Sequence, residues 1–379
     1  MNAMTDQKNN DIRLAQLLHH RSSGLAQGDP IALPITSSAS YHLPYVKDAP
    51  FLYGRNSMPT WAELESQLSL LEDAPCLAFP SGMAAITAAL IASLGQGKTL
   101  VLPSDGYYVS RIFSQGFLVT YGVQVIEVPT LKMQDFDYDG VNVVLLESPS
   151  NPGLDLCDIA AIAAKVHAAG GMVMVDNTTM TPLLQRPLDL NADVVVASDT
   201  KAPAGHSDVL FGHVASRDAD FMARVRDWRR LSGAVPGAFE AWLLHRGLET
   251  LEVRLLRMCG SALVIAERLA ERGEVQNVRY PGLRSDPSYT LACRQMSGFG
   301  FIMGFELPNE QVAEYFLTLC PFIAQSTSFG STHTSGERRA RWGDQVAPGF
   351  VRLSVGCEPL EPLWLAISQA LSQALGGQP

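Results

Sequence analysis

Three apolar runs in the middle of the chain limit its fold more than any other feature. Val141–Leu146, Met172–Val175 and Ala192–Ala197 are short, valine-rich and apolar at nearly every position. That is the pattern of strands covered on both faces. Between the first two lies Asp158–Ala169, which places Ile159, Ile162, Ala163 and Val166 on one side of a helix stopped by Gly170-Gly171. Such a strand–helix–strand succession predicts an α/β fold with a mainly parallel sheet and helices on both faces. Ligands of such sheets gather outside the carboxyl ends of the strands. Here those ends are polar: Glu147 to Pro152, Asp176-Asn177-Thr178, and Ser198-Asp199-Thr200-Lys201.

The third run therefore leaves a lysine just past a buried strand. Burial disfavours the ammonium form, and a neutral amine can attack a carbonyl to give a Schiff base. Ser198 and Thr200 place two hydroxyls beside Lys201 that could hold an anion. Asp176 stands 25 positions earlier, at the end of the preceding strand. Upstream, Leu77-Ala78-Phe79 reads as a strand turning through Pro80-Ser81-Gly82-Met83 into an alanine-rich helix, Ala84–Leu94. Ser81 is placed to cap that helix, and Gly82 lets a ligand approach the backbone, which together make an anion site. Near the C-terminus, alternation in residues 350–356 puts Val351, Leu353 and Val355 on one face of a strand and Arg352 on the other. An arginine so presented offers a two-pronged grip on a carboxylate.

Composition removes several classes of function. A formal charge of −10 with no long basic run argues against nucleic acid or anionic membrane as a partner; Arg338-Arg339 with Arg341 is the longest basic cluster. No apolar run reaches the ~18 residues of a membrane span, and the polar start is unlike a signal peptide. Six scattered cysteines without a CxxC read as reduced thiols, so a cytoplasmic location and no metal are expected. The 379 residues suffice for one large and one smaller domain.

These motifs together resemble the Cys/Met-metabolism family of pyridoxal-phosphate (PLP) enzymes: cystathionine lyases, cystathionine γ-synthase and methionine γ-lyase. The resemblance runs from Tyr53 to the last helix. It implies the PLP-dependent transferase fold of type I, aspartate-aminotransferase-like. Lys201 would carry PLP and act as the base, with Asp176 facing the pyridine nitrogen. Ser81, Gly82, Met83, Ser198 and Thr200 would hold the cofactor, and a tyrosine would stack on its ring and take part in proton transfer, Tyr107 by alignment although Tyr108 is a candidate. Tyr53 and Arg55 match a motif that reaches into the neighbouring subunit's phosphate site; Met58 stands where the family has asparagine. Arg352, Asn151 and Ser328 would take the substrate's α-carboxylate. In residues 326–334 the family's glutamate is replaced by His333, which would face the distal end of the substrate.

The expected organisation is an arm (1–50), a PLP-binding large domain (51–236) and a smaller α+β domain (237–379), with Phe239–Ala270 a long helix. The resemblance also implies a homotetramer of site-sharing dimers and a small amino-acid substrate. The expected reaction is γ-elimination of cystathionine to cysteine, 2-oxobutyrate and ammonia. The alternatives are β-lyase, γ-synthase and methionine γ-lyase activity, or a PLP-fold binding or regulatory protein.

Overall fold

A computed structural model describes residues 3–45 and 48–376. Four residues of the expected arm (1, 2, 46 and 47) and residues 377–379 lie outside the described residues. The larger sheet holds β1 (Cys76–Phe79), β2 (Thr99–Pro103), β3 (Gln124–Val128), β4 (Val143–Glu147), β5 (Met172–Asp176), β6 (Val194–Ala197) and β7 (Gly212–Ser216). Their order is β1-β7-β6-β5-β4-β2-β3. β2 to β6 run parallel, and β7 is antiparallel to both β6 and β1.

Helices precede and link these strands: α1 (Ala3–His19), α2 (Pro59–Glu72), α3 (Gly82–Ser93), α4 (Tyr108–Phe113), α5 (Ile159–Ala168), α6 (Thr181–Leu184) and α7 (Ala219–Ser232). They explain why the strands are apolar at consecutive positions. Val143 and Leu145 face a core shared with Ile86, Leu90 and Phe221 of α3 and α7. Val144 and Leu146 face the opposite core, with Ile159, Ile162 and Val166 of α5. Each such side chain contributes roughly 1.5–3 kcal/mol by leaving water. A polar residue at either parity would lose that on one face.

The smaller sheet contains β8 (Gln276–Arg279), β9 (Ile302–Glu306), β10 (Ala324–Gln325), β11 (Ser335–Arg338) and β12 (Phe350–Ser354), in the order β10-β11-β12-β9-β8. All pairs but β10–β11 are antiparallel. Met303, Phe305, Val351, Leu353 and Val355 pack on the helices Glu310–Leu319 and Leu360–Gly376. Arg352 is left on the other face, as its alternation predicts.

The expected single helix over 239–270 is two: α8 (Ala238–Leu248) and α9 (Leu251–Ala270). The break has a cause outside the helix. A Cβ on Gly247 would lie 2.6 Å from the Pro203 carbonyl oxygen and 2.7 Å from that of Ala204, so the chain bends where it meets the Lys201 loop. Leu251, Leu255 and Met258 of α9 belong to a core with α2 and α8. Ala262, Ile265, Ala266 and Leu269 belong to the core of the smaller sheet. We propose that the passage between the two bodies is α9 rather than the loop at 236. The arm lies on the chain's own body: Leu17 and Leu33 are buried, and Leu33 O accepts from Trp242 Nε1 at 3.0 Å.

Candidate active site

The carboxyl ends of β4, β5 and β6 open into a cavity of about 480 Å³, closed on the other side by the smaller sheet. Lys201 reaches it from a turn that follows β6. Its Nζ donates to Ser328 Oγ at 3.0 Å and stands 4.8 Å from the centre of the Phe329 ring. Burial first, then the charge of Arg352, lowers its pKa to about 8. Ser198 and Thr200 share the cavity wall with it. The Thr200 hydroxyl accepts from Phe211 N at 3.0 Å.

Ser81 caps α3 by accepting from Ala84 N at 3.1 Å, and Gly82 and Met83 begin the helix at the cavity. A Cβ on Gly82 would meet Ser198 Cβ at 2.5 Å, so only glycine lets the helix end come this close to the lysine strand. This is a cradle for an anion, with free amides and the helix dipole aimed inward.

Asp176 ends β5 and Glu147 ends β4, and the two are register partners. Both are buried, and burial raises both carboxyl pKa values. The neighbouring Asp176 charge pushes Glu147 up further, whereas Thr178 N and Oγ1 (3.0 and 2.5 Å) hold Asp176 down. Of the two, Glu147 is thus the more disposed to hold a proton and Asp176 the more disposed to ionise. Tyr107 directly precedes α4, and its amide donates to Glu147 Oε2 at 2.6 Å. Tyr107 and Tyr108 both line the cavity, ring centres 5.5 Å apart, and burial raises the Tyr107 pKa.

Arg352 enters from β12. Its guanidinium donates to Asn151 Oδ1 at 2.5 Å, to Thr327 O at 2.8 Å and to Glu337 Oε1. Glu337 lies opposite it on β11 and is fully buried. It also accepts from Arg339 NH1 at 2.6 Å and from Trp342 Nε1 at 2.8 Å. One carboxylate therefore sets two arginines and an indole. Burial, then the charge of Arg339, lowers the Arg352 pKa to about 10.

Lys201, Asp176, Ser81, Gly82, Met83, Ser198, Thr200, Tyr107, Asn151 and Arg352 thus share one cavity, with Ser328 on the lysine. Tyr53 and Arg55 stand apart from it; Arg55 NH1 donates to Arg230 O at 2.7 Å and stacks on Tyr53. His333 is exposed and outside the cavity wall, contrary to its expected place at the substrate's distal end. Its backbone, not its ring, abuts Gly356. The wall is taken by Arg339 and Trp342 instead. The basic cluster at 338–341 concealed this: Arg338 turns outward to Glu310 and Glu314, while Arg339 turns inward. Glu337 and Trp342 carry no local signal in the sequence, whereas Glu147 does, as the polar end of an apolar strand. Among the described residues no cluster could hold a metal ion, and no helix is long and apolar enough to cross a membrane.

A buried carboxylate, an amine of lowered pKa and an anion cradle on one wall fit a phosphorylated aldehyde with a basic ring nitrogen, which is the chemistry of PLP. Comparison with known proteins agrees. The family model described as "Cys/Met metabolism PLP-dependent enzyme" matches residues 15–372. A Streptomyces coelicolor protein named "Putative cystathionine gamma-lyase" is 46% identical over 344 residues, 89% of this chain and 87% of that one. The L-methionine γ-lyase of Pseudomonas putida is 35% identical over 382 residues, covering 93% and 96%. The crystal structure of cystathionine γ-synthase from Xanthomonas oryzae in complex with cystathionine superposes with a TM-score of 0.92 at 30% identity, covering 97% and 99%. The chain belongs to the Cys/Met-metabolism family of PLP-dependent enzymes.

Proposed function

We propose that this enzyme is a cytoplasmic cystathionine γ-lyase that cleaves cystathionine to cysteine, 2-oxobutyrate and ammonia. The observation that carries the reading is the convergence of Lys201 and Arg352 on one cavity from different sheets. Arg352, steadied by Asn151, grips the α-carboxylate and so holds the α-carbon toward Lys201. With a pKa about 8, the Lys201 amine takes up and returns the α-proton near neutral pH. Asp176 would face the cofactor's ring nitrogen, and the α3 end with Ser81, Gly82, Met83, Ser198 and Thr200 would hold its phosphate. Tyr107 would cover the ring. When bound, PLP supplies the electron sink for charge developing on the substrate. Tyr53 and Arg55, exposed on their own chain, complete the neighbour's site in a homotetramer of dimers.

A second reading, methionine γ-lyase, is favoured by the cavity wall. Met83, Ile86, Leu210, Phe329 and Trp342 line it with the rings of Tyr107 and Tyr108, and among the described residues its carboxylates are Glu147 and Asp176, both at the ends of the parallel strands. A product assay on cystathionine, cysteine, methionine and activated homoserine separates the readings. Cysteine and 2-oxobutyrate from cystathionine, at the highest kcat/KM of the set, is the expected result. Methanethiol from methionine at higher kcat/KM would replace it with the second reading. Homocysteine and pyruvate from cystathionine would mean a β-lyase, and cystathionine formed from activated homoserine and cysteine a synthase.

A further inference from the structure

Behind the lysine lies a buried cluster that the reaction outlined above does not use. Along residues 198–201 the side chains alternate: Ser198 and Thr200 line the cavity, while Asp199 turns away into the core. There it meets His213 of β7, whose Nδ1 lies 2.9 and 3.0 Å from the two Asp199 oxygens. On the far side of the same ring, Nε2 lies 3.2 Å from Oε1 of Glu72, the last residue of α2. All three are buried, with Glu72 the most exposed at 3%. The register explains the meeting. His213 pairs with Ala197 on one side and Ala78 on the other, so its ring stands on the face to which Asp199, two residues beyond Ala197, also points.

A neutral imidazole has one N–H and one lone pair. Placed between two carboxylates, it would turn that lone pair toward one of them. With both carboxylates ionised, both contacts are satisfied only when both ring nitrogens carry protons. Burial opposes the charge, but Asp199 and Glu72 outweigh it and hold the pKa at about 10. Asp199 in turn starts the turn that bears the lysine: its carbonyl accepts from Ala204 N at 2.9 Å, and Lys201 O accepts from Gly205 N at 2.8 Å. The side chain of Asp199 is thus the link between that turn and the layer beneath.

We propose that His213 is a buried imidazolium at neutral pH and a positioning residue, which ties Asp199 to Glu72 and so sets the turn that presents Lys201. The proposal rests on the reading of Lys201 as the residue that carries the cofactor and moves the α-proton. Its charge has a second recipient, since His213 is among the cations that favour the ionised form of Asp176.

The test has two arms, both on the full-length holoenzyme. In the first, 15N NMR of histidine-labelled protein at pH 8 should show one imidazole protonated at both nitrogens, a signal absent in Glu72→Gln with His213→Gln. A neutral His213 at that pH would overturn the proposal. In the second, Asp199→Asn should lower kcat at least tenfold with KM changed less than twofold. It should also change the cofactor's absorbance spectrum and slow its fixation on Lys201 by borohydride. Asp286→Asn is the control: Asp286 is buried beside Arg279, Tyr280 and Ser288 in the other body. It should lower Tm while leaving kcat and spectrum unchanged. If Asp199→Asn behaves like this control, the cluster holds the fold alone and the positioning role is refuted. Lys201→Ala distinguishes the premise: turnover by that variant would remove the reading of Lys201 while leaving the NMR result standing.

Discussion

Arg254 of α9 is a buried cation without a carboxylate in hydrogen-bond contact among the described residues. Its guanidinium donates to Ala202 O at 2.6 Å, Pro203 O at 3.1 Å and Gly247 O at 2.6 Å. Ala202 and Pro203 directly follow Lys201, so this side chain clamps the lysine loop onto the α8–α9 break. Arg254→Met keeps much of the volume and removes the donors. Gly247 O still accepts from Thr250 N, but the other two carbonyls lose the donor that holds them. Each orphaned carbonyl costs about 1–3 kcal/mol, hence about 2–6 kcal/mol for the pair. No longer burying a charge offsets part of this, leaving about 3 kcal/mol. Urea denaturation of the cofactor-saturated enzyme measures that loss, and equilibrium dialysis measures PLP retention. If half the loss falls on the loop in the bound state, affinity drops about tenfold, since 1.4 kcal/mol is a factor of ten. Arg254→Lys should rescue little, because one ammonium cannot fork to three carbonyls. A Met variant within about 0.5 kcal/mol of the parent, the range of an ordinary surface change, with unaltered PLP affinity would refute the clamp.

Other predictions follow from the same geometry. Gly82→Ala places a Cβ 2.5 Å from that of Ser198; overpacking of this kind costs about 1–3 kcal/mol, and it should appear as weaker PLP binding in titrations of the cofactor-free protein. In that cofactor-free protein Lys201 has a folded pKa of about 8 against an ordinary 10.5. Between those pH values the unfolded chain binds the proton more tightly, so this group makes stability rise with pH by up to about 3 kcal/mol. His213, raised to about 10, slopes the other way, its contribution being lost as pH rises through that value; the difference between parent and Lys201→Ala across pH 8 to 10.5 isolates the lysine. Finally, if sites are shared as proposed, Arg55→Ala should weaken PLP retention, and mixing it with the inactive Lys201→Ala should restore some activity, because a hybrid dimer would rebuild one whole site. No activity despite demonstrated subunit exchange would count against shared sites.

Much of the lysine-bearing wall was legible because its cues are local. A buried strand, a polar end and a capped helix can each be read within a dozen residues, and they locate Lys201, Asp176 and Ser81. The opposite wall depends on register. Nothing in the sequence near Glu337 says that it faces Arg352 across two antiparallel strands, and aligning residues 326–334 by motif spacing put His333 where Arg339 and Trp342 stand. The cluster of Glu72, Asp199 and His213 joins positions up to 141 apart, so no window could show it. The break between α8 and α9 was hidden for the same reason: apolar periodicity continues through Gly247, and the contact that bends the chain comes from the loop after Lys201.

The division of the cavity between two sheets has an engineering consequence. The lysine wall comes from residues 81–210, Asn151 included, and Arg352 with the indole of Trp342 from residues 327–352. The strand before Lys201 is fastened to the core of the larger sheet through Val194 and Val196, and the strand of Arg352 to that of the smaller through Val351 and Leu353, while Phe329 joins the core that holds Ala202. Swapping residues 331–345 for the matching stretch of a relative should therefore transplant substrate preference while sparing Ser328 and Phe329, which touch the Lys201 amine. Random mutation in that stretch would explore new leaving groups without first having to rediscover the chemistry.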